Sequence, residues 1–163
     1  MRNEFDFNCA LRITNYALIL GGFNEMFKVL GVDHIGIAAK DLEEVGAFWE
    51  LLGLKATGAE TVAEQKVTTG FYPTPNGSEI ELLVATDETS PIAKFMEKNG
   101  GRGGIQHIAL LVDDLEAALA DLKEKGVKLI DEKPRKGAGN KMIAFIHPKA
   151  THGVLLELCQ PIK

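Results

Sequence analysis

Two histidines and two glutamates interrupt apolar stretches of the sequence in a repeated pattern. His34 and His107 each lie in a short apolar run, and Glu81 (in EIELLVA) and Glu157 (in GVLLELCQ) each break another one. The interval from His34 to Glu81 nearly equals the interval from His107 to Glu157. Buried, unpaired carboxylates are costly, and a divalent cation removes that cost by binding them together with neutral imidazoles. The four residues are therefore predicted to bind one metal ion.

The chemistry of the ligands limits which metal fits. Mixed nitrogen and oxygen ligands suit cobalt, nickel, manganese, iron or zinc better than magnesium or calcium. A single strand histidine is more often a hydrogen-bonded core residue than a ligand, and a single strand glutamate is more often exposed or ion-paired. The recurrence of the same pair at two places in the chain favours the metal site over this alternative.

An internal repeat explains the matching intervals. Residues 32–53 (VDHIGIAAKDLEEVGAFWELLG) are similar to residues 105–126 (IQHIALLVDDLEAALADLKEKG). Each copy has a strand-like run with one histidine, an Asp-Leu-Glu start, a helical period of apolar residues and a closing glycine. Asp41 and Asp114 are predicted to cap the two helices, and Gly53 and Gly126 to end them. A pseudo-twofold axis between the copies would bring both His/Glu pairs together.

Strand-like runs after each helix complete the order β-α-β-β-β, twice. They lie at 66–72 and 79–84 in the first copy, with a weaker one around 55–58, and at 127–130, 141–146 and 154–159 in the second. Ser90-Pro91 is predicted to open a short helix in the linker at 86–104. We therefore predict an α+β fold in one domain, 26–163, in which module one (about 29–85) and module two (about 105–160) form a curved, mainly antiparallel sheet around one metal site. The helices are expected outside this sheet, and residues 1–25 are expected to be a separate N-terminal extension.

Both histidines are predicted to point into the concave interior of this sheet. Successive residues of a strand face opposite sides, so each histidine shares its face with residues two and four positions away. These are small or apolar: Val32, Gly36 and Ala38 for His34, and Ile105, Ala109 and Leu111 for His107. The residues that precede the histidines, Asp33 and Gln106, are placed on the opposite face.

The bulk composition excludes several classes of partner. The 163 residues include 18 basic and 23 acidic ones, and the net charge of -5 argues against a nucleic-acid partner but allows a small anionic one. No apolar run approaches the roughly 20 residues that cross a bilayer, so no membrane partner is expected. Cys9 and Cys159 form no CxxC pair, which favours a reducing, cytoplasmic location.

Several stretches resemble the methylmalonyl-CoA epimerase family of the vicinal oxygen chelate (glyoxalase/bleomycin resistance/dioxygenase) superfamily. They are DHIGIAAKDLEE, the run SPIAKF…KN…GG…HIAL, and HPK…GVLLEL, and the resemblance covers residues 29–160. It implies the metal ligands His34, Glu81, His107 and Glu157, with cobalt as the metal and nickel, manganese or zinc as alternatives. It also implies a homodimer that acts on an acyl-CoA thioester. The reaction would interconvert (2R)- and (2S)-methylmalonyl-CoA by proton transfer at C2 through a metal-stabilised enolate, with Glu157 as one catalytic base.

The sequence departs from the family at the second acid/base group. Some members have a glutamate where this chain has Thr69, which leaves Glu64, a lysine or a water for that role. Glu81 stands at a ligand position that is glutamine in some members and glutamate in others, and this residue is also compatible with a glyoxalase I-type lactoylglutathione lyase. A metal-free small-molecule-binding protein of the same fold is a further alternative, although it has no need for a repeated His/Glu pair.

Overall fold

The computed structural model describes residues 26–162, so the predicted extension at 1–25 lies outside the described residues. The strands are β1 (Val29–Ala38), β2 (Gly58–Val62), β3 (Val67–Pro73), β4 (Glu79–Ala85), β5 (Gly104–Val112), β6 (Arg135–Lys136), β7 (Lys141–Ile146) and β8 (Leu156–Pro161). The helices are α1 (Leu42–Leu51), α2 (Pro91–Lys98) and α3 (Leu115–Glu124), and a short 3-10 turn covers Ala63–Gln65. Within this part of the chain no helix is long and apolar enough to cross a membrane.

The described strands form one 8-stranded sheet that curls into a half-barrel, in the order β2-β3-β4-β1-β5-β8-β7-β6. The first strands of the two copies, β1 and β5, lie side by side in its centre and pair antiparallel. Each also pairs in parallel with the last strand of its own copy, β1 with β4 and β5 with β8. The outer pairs are antiparallel. The predicted α+β fold of two βαβββ modules with a mainly antiparallel sheet is confirmed.

The helix boundaries follow the predicted caps. The Asp41 side chain accepts a hydrogen bond from the Glu44 backbone N–H at 2.8 Å, and Asp114 accepts one from Ala117 at 2.9 Å. Gly53 and Gly126 follow the helices with φ of 86° and 73°, a backbone conformation in which glycine avoids the clash of a Cβ atom. Both capping aspartates and both closing glycines are therefore confirmed.

The helices of the two modules pack outside the half-barrel, as predicted. In module two, α3 buries its apolar stripe in a core of Val112, Leu115, Ala118, Leu119, Ala144, Ile146 and Leu158. In module one, α1 approaches the outer side of β3 through Gly46, where an added Cβ would lie 2.0 Å from the Tyr72 hydroxyl oxygen. The linker helix α2, capped by Ser90, differs because Ile92 and Phe95 pack against Ala38, Val67 and Leu83 beside the cavity.

The structure corrects two predicted strands. The strand expected around 55–58 lies at Gly58–Val62 instead. Residues 127–130 form no ladder and contribute only an isolated bridge between Leu129 and Ile146. The Asp131 carboxylate accepts a hydrogen bond from the Phe145 backbone N–H at 2.9 Å, and a side chain thereby replaces the backbone acceptor of a regular neighbouring strand. The apolar residues Val127 and Leu129 pack against the core under α3, which accounts for the strand-like pattern. The two-residue strand β6 was not predicted.

Candidate metal centre and active site

The two histidines meet on the inner face of the half-barrel, which we define as the face that carries their side chains. His34 on β1 lies opposite Ala109, and His107 on β5 lies opposite Gly36. Their Nε2 atoms are 3.0 Å apart, and the two rings are nearly perpendicular. Both side chains are buried. The central pairing of the two modules therefore brings together residues 73 positions apart.

Glu157 completes a cluster with these imidazoles. It lies on β8 beside Ala109, and its carboxylate oxygens lie 3.6 Å from His34 Nε2 and 3.7 Å from His107 Nε2. One donor atom from each of the three residues lies within 4.8 Å of the others. We call His34, His107 and Glu157 the three-residue cluster.

Glu81 lies next to this cluster, at a different edge of the His34 ring. It occupies β4 beside Gly36, and its carboxylate is 3.6 Å from His34 Nδ1 rather than from Nε2. The side chain is buried, as predicted for a ligand. The structure thus groups three of the four predicted ligands. The fourth, Glu81, lies on the other side of the His34 ring from them. Glu81 as a ligand stays a prediction.

The side chain of the residue before each histidine lies within hydrogen-bond distance of Nδ1 of that histidine. The Asp33 carboxylate lies 2.8 Å from His34 Nδ1, and the Gln106 side-chain oxygen lies 2.6 Å from His107 Nδ1. An Nδ1–H that donates to such an acceptor leaves Nε2 with the lone pair that binds a metal. Both imidazoles therefore present Nε2 to the cluster.

The prediction that Asp33 and Gln106 lie on the opposite face of the sheet from the histidines was wrong, because β1 and β5 contain bulges. Between Val32 and His34, β1 advances two residues while β5 advances one, so Asp33 is an extra residue. Between His107 and Ile105, β5 advances two residues while β1 advances one, and Gln106 is extra there. Such bulges turn a side chain away from the regular alternation. Each bulge here brings a hydrogen-bond acceptor beside a histidine.

Burial sets the protonation of the cluster. It lowers the pKa of His107 to about 3 and raises the pKa of Glu157 to about 7, and it also raises the pKa of Glu81. Burial acts to lower the pKa of His34 too, but the hydrogen bond to Asp33 and the charges of Glu81 and Glu157 outweigh it and raise that pKa. Without a cation, the glutamates therefore resist ionisation, and a bound cation would favour their charged forms.

The donor set fits a divalent metal ion. Two nitrogens that each lie about 2.1 Å from one ion, at a right angle, are about 3.0 Å apart. The Nε2 atoms of His34 and His107 have this separation, and a carboxylate lies beside both. Two imidazoles and a carboxylate form a common metal-binding combination. His34, His107 and Glu157 are thus positioned to hold such an ion.

The cluster opens onto a cavity of about 640 Å³. Thr69 on β3 lines this cavity and is almost fully buried, in agreement with its predicted place beside the site. Its hydroxyl cannot take the role of a carboxylate base. Glu64, which was considered for that role, also lines the cavity, as do the lysines Lys66 and Lys141.

The opposite wall is aromatic and cationic. The Phe145 ring packs edge-on against His107, with ring centres 5.4 Å apart. The Arg135 guanidinium lies over the same Phe145 ring at 5.4 Å and is 3.2 Å from the Asp131 carboxylate. This wall therefore brings an ion-paired guanidinium to a cavity that is also lined by buried carboxyl groups.

Comparison with known proteins agrees with this geometry. Residues 33–145 match the model of the Glyoxalase/Bleomycin resistance protein/Dioxygenase superfamily. Human mitochondrial methylmalonyl-CoA epimerase is 39% identical over 130 residues, which cover 79% of this chain and 73% of the relative. Ethylmalonyl-CoA/methylmalonyl-CoA epimerase from Cereibacter sphaeroides is 40% identical over 131 residues, which cover 79% and 96%.

A solved structure extends the similarity to the whole fold. A variant of Streptomyces coelicolor methylmalonyl-CoA epimerase, in complex with 2-nitronate-propionyl-CoA, superimposes with a TM-score of 0.77 at 36% identity. The match covers 83% of this chain and 100% of that chain. The paired modules and the match over residues 33–145 define the class, and the chain belongs to the Glyoxalase/Bleomycin resistance protein/Dioxygenase superfamily and, within it, to the methylmalonyl-CoA epimerase family.

Gly36 gives a test of the histidine geometry. A Cβ atom at this position would lie 2.2 Å from Cε1 and 2.8 Å from Nε2 of His107, so Gly36→Ala must displace that ring. We expect this variant to fold but to bind Co²⁺ or Zn²⁺ at least about tenfold more weakly, as for the loss of an orienting contact. Competition with a chromophoric chelator measures the affinity. Gly70→Ala is the matched control, because its Cβ would meet only the flexible Leu42 side chain at 3.2 Å. Equal affinities of both variants and the parent would contradict the assignment of His107.

The protonation of the cluster predicts the pH dependence of metal binding. Below about pH 7 Glu157 carries a proton that a cation must displace, and the raised pKa of His34 means that its imidazole holds a proton to higher pH than a free imidazole does. The apparent affinity should therefore rise with pH between 6 and 8, by up to about tenfold per unit for each group while the pH is below its pKa, and flatten above that pKa. Titration of the metal-free protein at several pH values, corrected for the chelator's own protonation, measures this slope. An affinity independent of pH over that interval would show that these groups do not bind the metal.

Proposed function

We propose that this protein interconverts (2R)- and (2S)-methylmalonyl-CoA by removing and returning the C2 proton in a metal-dependent reaction. The observation that carries the proposal is the buried cluster of His34, His107 and Glu157 at the end of a cavity, in a chain 39% and 40% identical to two such epimerases. As a member of this family the chain is an isomerase that acts on an acyl-CoA.

The metal would be held by the three-residue cluster, with Glu81 as the fourth protein ligand. When bound, a divalent cation supplies positive charge beside the oxygen on which the enolate charge develops. The resemblance to the family supports cobalt, with nickel, manganese or zinc as alternatives. The chain's own contribution is to bury the two carboxyl groups and orient both imidazoles by their Nδ1 partners.

Glu157 is the proposed base on one side of C2. Its carboxyl group lines the cavity and belongs to the cluster, so a substrate bound there would have its acidic C–H within reach. Inversion needs a second group on the opposite face of C2. Thr69 cannot serve as that base, which leaves Glu64, Lys66 or a water as candidates, and both of these side chains line the cavity.

The cavity supports an acyl-CoA thioester as substrate. Ile130, Phe145 and Leu155 give it apolar surface for an alkyl chain, and the cations Lys66 and Arg135 lie on its wall. Phosphates and carboxylates bind well to such cations, although the whole chain is acidic. The Streptomyces relative in complex with an acyl-CoA analogue is consistent with this assignment. The homodimer and the cytoplasmic location remain predictions.

A glyoxalase I-type lyase is the second candidate, and Glu81 is the observation that favours it. A ligand set of two histidines and two glutamates is also that of glyoxalase I, whose substrate is a glutathione hemithioacetal. The chemistry is again proton transfer beside a metal, so the geometry of the cluster alone fits both reactions. The 39% and 40% identity to epimerases favours the first.

Exchange in D₂O separates these functions. The metal-loaded protein, incubated with (2R)-methylmalonyl-CoA, should give the (2S) form with deuterium at C2, and a chelator should abolish this turnover. A parallel incubation with the methylglyoxal–glutathione adduct should give no product. Product from the adduct alone would replace the epimerase proposal with the lyase, and deuterium incorporation in verified metal-free protein would remove the metal from the reaction.

The variant Glu157→Gln tests the base. Loss of a general base typically lowers the rate by about 10²–10⁴-fold, and we expect a decrease of this size in kcat at matched metal content. Glu116→Gln is the control, because Glu116 is an exposed residue on α3, away from the cavity. Full turnover by Glu157→Gln with metal bound would exclude Glu157 from the acid/base role.

A further inference from the structure

An ion pair joins the two modules directly behind a proposed metal ligand. Lys141, at the start of β7 in module two, donates a hydrogen bond from Nζ to the carboxylate of Asp33 on β1 in module one. The same Asp33 oxygen lies 2.8 Å from Nδ1 of His34. One carboxylate oxygen therefore accepts from a lysine of one module and from a histidine of the other.

The position of Asp33 in a bulge makes this contact specific. Because Asp33 has no partner on β5, its side chain leaves the regular alternation of β1 and reaches the inner side. Its carboxylate is largely buried, with 12% of the side chain exposed, and the Lys141 side chain is 17% exposed. A buried carboxylate without a cation is costly, so Lys141 is required to keep Asp33 charged in this place.

The second histidine lacks this arrangement. Gln106 occupies the corresponding bulge before His107, and its neutral amide oxygen lies 2.6 Å from His107 Nδ1. A carboxylate that accepts from Nδ1–H makes an imidazole a stronger metal ligand than an amide does. The two halves of the site therefore differ, although the ligands themselves repeat.

We propose that Lys141 and Asp33 are positioning residues that orient His34 for the metal from across the module boundary. Lys141 neutralises and fixes Asp33, Asp33 accepts the Nδ1–H hydrogen bond of His34, and His34 Nε2 is thereby directed at His107 and Glu157. Because the lysine belongs to module two, His34 of module one is held in place only when the half-barrel is closed around the cluster. The inference rests on the metal centre proposed above and is independent of the substrate.

Metal affinity tests the proposal without reference to turnover. Lys141→Met should bind Co²⁺ or Zn²⁺ about 10–100-fold more weakly than the parent, the range found when a partner of a metal-binding histidine is lost. Lys141→Arg, which keeps the cation, should restore most of the affinity. Lys123→Met is the matched control, because Lys123 pairs with Glu132 on the exposed side of α3 and should leave the affinity unchanged.

A second variant covers the case in which Lys141→Met fails to fold. The double variant Asp33→Asn/Lys141→Met removes both charges of the pair and leaves no buried carboxylate unpaired. It should fold and still show the weakened metal binding. Parent affinity in this folded double variant overturns the proposal, as does parent affinity in Lys141→Met. If the parent protein itself binds no divalent metal, the metal centre fails, which distinguishes the two results.

Nitrogen NMR of the imidazoles separates orientation from a general loss of stability. In the zinc-loaded parent, the Nδ1–H proton of His34 should be protected from exchange by its bond to the Asp33 carboxylate. Lys141→Met should lose this protection at His34 and keep the corresponding signal of His107, whose partner is Gln106. Unchanged protection at His34, or equal losses at both histidines, overturns the positioning role.

Discussion

The structure depends on the cost of burying two glutamates and two histidines in one place. Glu81 and Glu157 are both almost fully buried, on the strands that flank the central pair β1 and β5. Ionised carboxylates in such a setting cost several kcal/mol each unless a cation or hydrogen bonds compensate. The pKa of Glu157 is raised because burial disfavours its ionised form. A divalent cation would satisfy these donors at once.

The duplicated architecture places the donors and then differentiates them. Antiparallel pairing of β1 with β5 brings the histidines to a separation of 3.0 Å between Nε2 atoms, which local structure in either module alone could not do. Gly36 leaves the space that the His107 ring fills. The support of the rings differs between the copies, with a lysine-paired aspartate in one and a glutamine in the other. The symmetric part of the site thus comes from the fold, and the asymmetric part comes from single residues.

The sequence predicted what depends on regular periodicity. The repeat, the helix caps at Asp41 and Asp114, and the convergence of His34, His107 and Glu157 all follow from helical and strand periods applied to two copies. The residues that accept hydrogen bonds from the histidine Nδ1 atoms were missed, because a bulge leaves no periodic pattern in the sequence. Strand alternation placed Asp33 and Gln106 on the wrong face, and the polar residue directly before each histidine was the only local signal of their role.

Contacts between segments that are distant in the sequence could not be predicted from strand and helix periods either. Lys141 lies 108 residues from Asp33, and nothing in the sequence distinguishes it from the other lysines. The strand predicted at 127–130 failed because Asp131 supplies a side-chain acceptor where a ladder would use the backbone. Glu81 was correctly predicted to be buried, but its position at the Nδ1 edge of His34 depends on side-chain rotation that spacing does not determine.

The central claim is that one divalent ion binds between the two modules, and its position can be measured directly. Anomalous diffraction at the absorption edge of the metal, from crystals of the cobalt- or zinc-loaded protein, locates the ion independently of activity. We expect one strong peak about 2.0–2.2 Å from Nε2 of His34, Nε2 of His107 and a carboxylate oxygen of Glu157. A peak bound to other residues, or no peak in this cluster at full metal content, would contradict it.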